Sequence, residues 1–334
     1  MPGKHEKHKG KQQPEYSWGF KKPDDYNLTL KQKIIYTIYD SRHGEAKFLG
    51  RTPKNWGKLG LWYLAFHTSW AILFAICMKG LMMTIDEKLP RYILDDSLIG
   101  SNPGMGFRPM PEGFDEGSSV VWYQARNQTN IDIWMNTIGN FLAPYMEKPG
   151  HKNRAECDYK LPKPADKVCD FDVQGPEWGE CSKKNNYGFP SSSPCIFLKL
   201  NRIIGWVPDY YRNVSELPSH MPAFLKDEIK KIYDSDPKLM NTVWVSCAPE
   251  GPADNETLGP INYFPRPGFP GFYYPYTNQP GYLSPLVAVQ FKRPPAARLV
   301  NIECRAWAKN IIYQRQTGAR DRMGSVHFEI LVDP

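Results

Sequence analysis

No Walker loop, no GxSxG nucleophile elbow and no CxxC pair occurs anywhere in this chain. The first absence removes the usual phosphate cradle, the second the hydrolase nucleophile, and the third leaves a structural zinc site unsupported. Gly104-Met-Gly-Phe107 begins like a dinucleotide fingerprint but lacks the rest, and no regular βαβ order surrounds it. No carbohydrate-binding calcium motif is evident, so a lectin-like receptor is disfavoured. Basic residues interleaved with aromatics are missing from the larger, C-terminal part, which argues against a nucleic-acid partner. No cofactor, metal ligand or catalytic residue is expected.

The most telling absence is of charge. From Leu59 to Met78 there is no Asp, Glu, Lys or Arg. A bilayer core about 30 Å thick is crossed by about 20 helical residues, and this run is long enough. Lys79 would sit at the far interface, and Gly80-Leu-Met-Met-Thr-Ile85 extends the apolar stretch. A signal peptide would lie nearer the start and be shorter, and a soluble helix would show a polar stripe. Residues 59–85 therefore read as a transmembrane helix.

Charge also predicts its direction. Residues 1–58 hold thirteen Lys and Arg against six Asp and Glu, whereas residues 86–334 hold twenty-eight against twenty-nine. The positive excess precedes the span, so the basic end is expected in the cytosol and the long C-terminal part outside. This is a single-pass type II arrangement: a cytoplasmic basic tail over 1–58, the span, an extracellular linker over 86–117 and an ectodomain over 118–334.

Apart from Cys77 in the span, the cysteines are Cys157, Cys169, Cys181, Cys195, Cys247 and Cys304, all after it. An even set in an oxidising compartment predicts three disulfides, and spacing leaves fifteen pairings open. Asn127-Gln-Thr, Asn213-Val-Ser and Asn255-Glu-Thr lie on the same side as glycosylation acceptors, while Asn27-Leu-Thr should be cytosolic and unmodified. The 31 Pro, 10 Trp and 19 Tyr suit short strands joined by Pro-rich turns better than a helical bundle.

Residues 1–26 read as a disordered basic tail, in which His5 and His8 are solvated rather than metal ligands. Leu30, Ile34, Ile35 and Ile38 recur at helical spacing among lysines and predict a short amphipathic helix along the inner membrane surface. Pro90–Gly117 has no periodicity. Strands are predicted over 118–125, 195–200, 242–247, 286–291, 299–307 and 325–332. Helices are predicted around Ile131, Trp134, Ile138 and Phe141, ending at Pro144, and around Leu225, Ile229 and Ile232, entered at Pro222. Val300, Ile302, Cys304 and Ala306 alternate with Asn301, Glu303 and Arg305, as antiparallel strands with one wet face do. The expected fold is a mainly antiparallel sandwich with one or two packed helices.

Asp170-Phe-Asp172 and Asp234-Ser-Asp236 fit the DxD pattern of a type II lumenal glycosyltransferase. One pair lies in a cysteine-rich loop and the other at a helix stop, so that reading is the weaker one. Aromatics are more suggestive. Tyr63, Phe66, Trp70 and Phe74 are spaced by three and four along the span, and Phe272-Tyr-Tyr-Pro-Tyr276 concentrates rings in one loop. Both patterns suit a binding protein, and both also suit ordinary packing.

Phe48-Leu-Gly-Arg-Thr52, Cys195-Ile-Phe-Leu-Lys-Leu-Asn-Arg-Ile-Ile-Gly205, Tyr273-Tyr-Pro-Tyr276, Pro285-Leu-Val-Ala-Val-Gln-Phe291 and Ile302-Glu-Cys304 occur in order. On these motifs the chain resembles, from about Leu30 to its C-terminus, the beta subunits of the sodium/potassium-transporting ATPase and of its proton/potassium-pump relatives. The resemblance implies an immunoglobulin-like ectodomain with an added helix. It also implies pairing of Cys157 with Cys169, Cys181 with Cys195 and Cys247 with Cys304. Tyr63 and Phe66 would face a membrane helix of a catalytic alpha subunit, and Tyr273, Tyr274 and Tyr276 one of its extracellular loops. His67 departs from the aromatic usual in the family, and the stretch between Tyr276 and Leu283 also differs. Such a subunit performs no chemistry. It stabilises the alpha subunit, carries it to the plasma membrane and tunes its potassium affinity, with a small single-span regulatory subunit as a further partner and cell adhesion as an added role. A proton pump as partner is the alternative.

Overall fold

The computed structural model describes residues 29–41, 46–86, 88–98, 100–110, 118–147, 153–161, 163–164, 167–315 and 322–334. The basic tail with His5 and His8, the Asn27 sequon and the linker residues 111–117 lie outside them. The chain divides into two compact units, Met1–Ile85 and Asp86–Pro334.

In the first unit, α1 (Leu30–Ile38) leads into a small hairpin of β1 (Tyr39–Asp40) and β2 (Lys47–Phe48), then α2 (Pro53–Met83). Gln32 accepts from the Thr29 backbone N–H at 3.1 Å, closing the first turn of α1. Proline opens α2, where its missing N–H costs nothing. The 31 residues of α2 rise about 46 Å. Its most apolar window has a mean hydropathy of 1.6, and none of that window is buried within the protein. It is one helix long and apolar enough to cross a membrane.

The second unit is built from strands, in order β3 (Met105–Arg108), β4 (Val120–Gln124), α3 (Gln128–Met146), β5 (Arg154–Ala155), β6 (Val168–Cys169) and β7 (Cys195–Leu200). There follow α4 (Ala223–Ser235), β8 (Thr242–Pro249), α5 (Pro252–Thr257), β9 (Ile261–Phe264), β10 (Gly268–Pro270), β11 (Val287–Phe291), β12 (Leu299–Trp307) and β13 (Ser325–Asp333). A five-stranded sheet has the order β10-β8-β12-β13-β4, and a four-stranded sheet the order β3-β7-β11-β9. Alternation decides which side chains lie between them. Val300, Ile302, Cys304 and Ala306 are buried on one face of β12, as are Phe328, Ile330 and Val332 on β13. Phe328 meets Phe107 of β3 at 5.0 Å and Phe291 of β11 at 5.8 Å between ring centroids, so aromatic rings from both sheets close the core.

Helices cover what the sheets leave open. α3 buries Ile131, Trp134, Ile138, Leu142 and Tyr145, and the Trp134 indole donates to the Trp122 carbonyl at 2.9 Å. α4 lies over the outer face of the five-stranded sheet, where Leu225 and Ile229 form a second core with Trp244 and Trp307, register partners on β8 and β12.

Two expectations need correction. α3 does not end at Pro144 but runs to Met146. The missing proline N–H falls in the last turn, and Tyr145 is anchored there by its hydroxyl, which donates to the Ser284 carbonyl at 3.0 Å. The pattern over 90–117 predicts no element, yet β3 pairs with β7. Its four residues are too few to show a period, although Met105 and Phe107 point inward. Within this mainly antiparallel architecture, β4 joins β13 in parallel.

Candidate functional site

Three disulfides fix the second unit. Cys157 is joined to Cys169, Cys181 to Cys195 and Cys247 to Cys304, across separations of 12, 14 and 57 residues. Cys247 and Cys304 are directly opposite each other on β8 and β12, so their bond staples neighbours of one sheet. The other two tie loops to β6 and β7. Cys77 is free and exposed on α2.

Asn127, Asn213 and Asn255 are exposed. Asn127 caps α3 with its Oδ1, which accepts from the Asn130 N–H at 3.3 Å. Asn213 Oδ1 accepts from the Tyr233 hydroxyl at 3.4 Å, and Asn255 lies in α5.

Two aromatic clusters carry the binding residues suggested by the sequence. On α2, Trp62 stacks on Phe66 at 5.3 Å, Tyr63 stacks on His67 at 5.9 Å, and Phe66 meets Trp70 edge-on at 6.3 Å. Helical spacing alone brings these rings together. Tyr63 is 48 % and Phe66 42 % exposed, so the described residues of the first unit leave the ridge uncovered.

The second cluster lies in the β10–β11 connection. Gly271 opens it because a Cβ there would collide with the Tyr210 hydroxyl and the Asn241 carbonyl. Tyr273 turns inward: it is 5 % exposed, and its hydroxyl donates to the Asp170 carbonyl at 2.7 Å. Tyr274 stands edge-on to Trp206 at 5.6 Å, and its buried hydroxyl has no partner among the described residues. Burial pushes both phenols far above their ordinary value, so they stay protonated at any physiological pH. Tyr276 packs on Tyr282 at 4.8 Å, and the Arg202 guanidinium lies 5.5 Å from the first ring and 5.3 Å from the second. The loop is locked by the Gly205 N–H donating to the Tyr276 carbonyl at 2.8 Å and by the Asn278 amide donating to the Lys88 carbonyl at 2.9 Å. A cleft of ≈ 10 Å³ lies among Arg202, Trp206, Tyr274, Tyr276 and Tyr282. It has room for one water and none for a metabolite. The geometry is that of a preorganised aromatic surface with Tyr276 at its rim.

Three of the four DxD aspartates serve the fold. Asp170 is 3.8 Å from Arg154, Asp172 accepts from the Gln174 N–H at 2.7 Å, and Asp236 caps the turn at Lys238 at 3.0 Å.

Sequence reasoning missed a polar network on the outer face of β12 and β13, which alternation had marked as wet. Glu250 receives Arg322 at 2.7 Å, Arg315 at 3.2 Å and His327 at 2.7 Å. Glu303 receives Arg322 at 3.1 Å, Ser325 at 2.9 Å and Tyr313 at 3.1 Å. Arg305 lies between Trp307 at 3.8 Å and Tyr313 at 3.9 Å. The only signal available was the concentration of both charge signs at alternating positions.

Burial raises the Glu250 pKa, but the hydrogen bonds and charges of Arg322 and His327 together outweigh it and hold the carboxyl below its ordinary value. A folded-state pKa below the unfolded one adds stability that is complete above about pH 4.3 and is lost as pH falls through the lower value. Glu250→Gln is therefore expected to be less stable than the parent at pH 7, with the gap closing under acid. Melting temperatures from pH 7 to pH 3 check this; a constant gap would refute it.

Against known proteins, a profile described as "Sodium / potassium ATPase beta chain" matches residues 26–328. The chain is 46 % identical over 307 residues to sodium/potassium-transporting ATPase subunit beta-2 of Drosophila melanogaster, covering 91 % of this chain and 93 % of that protein. It is 44 % identical over 306 residues to subunit beta-1 of the same organism, covering 91 % and 94 %. To subunit beta-2 of Homo sapiens it is 27 % identical over 305 residues, covering 86 % and 90 %.

Proposed function

Because this chain belongs to the sodium/potassium ATPase beta chain family, we propose that it is the non-catalytic beta subunit of a sodium/potassium-transporting ATPase. It assembles with the catalytic alpha subunit, stabilises it, carries it to the plasma membrane and modulates its affinity for potassium. The observation that carries this reading is that one match, over 26–328, takes in both the apolar helix and the disulfide-bonded β unit.

Residues 1–58 are cytoplasmic, 59–85 cross the bilayer, 86–117 link, and 118–334 form an immunoglobulin-like ectodomain bearing glycans at Asn127, Asn213 and Asn255. The charge asymmetry about the span supports this direction. Two packed sheets with helices on them support the fold class, although the Cys247–Cys304 bond lies within one sheet, unlike the inter-sheet bond of antibody domains.

Each aromatic cluster has its own task. Tyr63 and Phe66 pack on an alpha-subunit helix, where ring area and close packing stand in for the hydrophobic effect that lipid cannot supply. Tyr276 touches an extracellular loop, and Tyr273 and Tyr274 hold it in place from within. Contacts that differ between two conformations of the pump bias its equilibrium, and potassium affinity shifts accordingly. A small single-span regulatory subunit and a role in adhesion complete the proposal.

The test is co-purification from detergent of the full chain with the alpha subunit. The parent is expected to retain it, and Tyr274→Ala to retain several-fold less while keeping its own fold, as judged by circular dichroism. A parent chain that never retains the alpha subunit would overturn the proposal.

A further inference from the structure

The segment before the span has features that crossing a membrane does not require. Leu30, Ile34, Ile35 and Ile38 of α1 are between 47 % and 77 % exposed, so the described residues of the first unit leave this apolar face open. The helix is nevertheless fixed to its neighbours. The Leu49 N–H donates to the Ile38 carbonyl at 2.8 Å, β1 pairs with β2, and the Trp56 indole donates to the Phe48 carbonyl at 2.7 Å. Arg51 lies 5.8 Å from the Trp56 ring. The chain therefore doubles back at the foot of α2.

Depth follows from the helix rise. If Leu59–Met78 fills the hydrocarbon, Pro53–Lys58 extends about 9 Å beyond it. The headgroup layer on each side is about 5–8 Å thick. Trp56 then lies within that layer, as interfacial tryptophans do, and the hairpin at its outer edge. An amphipathic helix about 10 Å across lying there reaches the acyl boundary. Charge fits as well: from Leu30 to Lys58 the sequence holds seven Lys and Arg against two Asp and Glu. Lys31 falls within the apolar stripe, where its stem can lie along it and its ammonium reach phosphate.

We propose that α1 and the hairpin form an interfacial foot that binds an anionic lipid surface, laying α1 flat on the leaflet where the span begins. This rests on the membrane reading of α2 and goes beyond the assembly function. The foot fixes how deep the span sits and makes that depth depend on lipid charge.

The test uses the full chain, with Cys77→Ser, in lipid nanodiscs of phosphatidylcholine alone or mixed with phosphatidylserine. Single spin labels are placed at Ile35→Cys on the apolar face, Lys33→Cys on the polar face and Leu73→Cys in the span. With phosphatidylserine, the Ile35 label is expected to be shielded from an aqueous relaxer and the Lys33 label to stay accessible. Lys31→Gln with Lys47→Gln should lower the ratio of surface-bound to free helix about thirty-fold. Equal accessibility of Ile35 and Lys33 labels in both lipids, with Leu73 shielded, would overturn the foot and leave the span intact. Exposure of the Leu73 label would overturn the span and the foot together. Shielding of Ile35 that requires the alpha subunit instead of phosphatidylserine would assign the face to protein and overturn the proposal.

Discussion

Cys247→Ala with Cys304→Ala is expected to cost about 4 kcal/mol of stability, the largest effect among the three disulfides. The bond closes 57 residues, against 12 and 14 for the others, which should each contribute about 3 kcal/mol. Its sulfurs join register partners on β8 and β12, strands that hydrogen bonds already hold together. The native sheet thus keeps its pairing without the bond, and the loss falls on the unfolded chain, which regains the freedom of a long loop. Denaturant unfolding of the full chain in detergent, under non-reducing conditions, measures it. A clear drop in midpoint is expected, and an unchanged midpoint would contradict it.

Phe328→Ala is expected to be about as severe, at about 3–5 kcal/mol. The side chain is fully buried, and its ring touches Phe107 and Phe291, so truncation opens a void between the two sheets. Such a void is too tightly framed by strands to collapse. Phe328→Leu, which keeps most of the volume, should cost about 1–2 kcal/mol. Equal stability of the two variants would mean that the sheets are not packed through this ring. Because Phe328 pairs with Ile302, two residues from Cys304, the two substitutions should not add independently.

These sites also show what the sequence could disclose. Strands 195–200 and 299–307 were legible to the residue, since their apolar runs or alternation end sharply. The apolar helix was legible because the twenty residues from Leu59 to Met78 carry no charge and so offer no polar stripe to water. β3 was not, because pairing with β7 supplies the order that four residues cannot encode. The outer face of β12 was misjudged as wet: Glu303 and Arg305 are covered by Tyr313 and Arg322 from the following connection, and Trp307 by α4. Alternation tells two faces apart without saying what lies over either. For the aromatic loop, sequence left inward and outward packing equally open. The structure divides them, with Tyr273 in the core and Tyr276 at the rim. Spacing likewise left the cysteine partners open, and strand register is what sets Cys247 opposite Cys304.

Everything proposed for the assembled pump requires the β unit and the basic foot to lie on opposite sides of one bilayer. Glycan occupancy at each sequon, read by mass spectrometry of the full chain from its native membrane before and after deglycosylation, measures this directly. Glycans on Asn127, Asn213 and Asn255 with Asn27 bare are the expected result. A glycan on Asn27 with the other three bare would place the β unit in the cytosol and contradict the account.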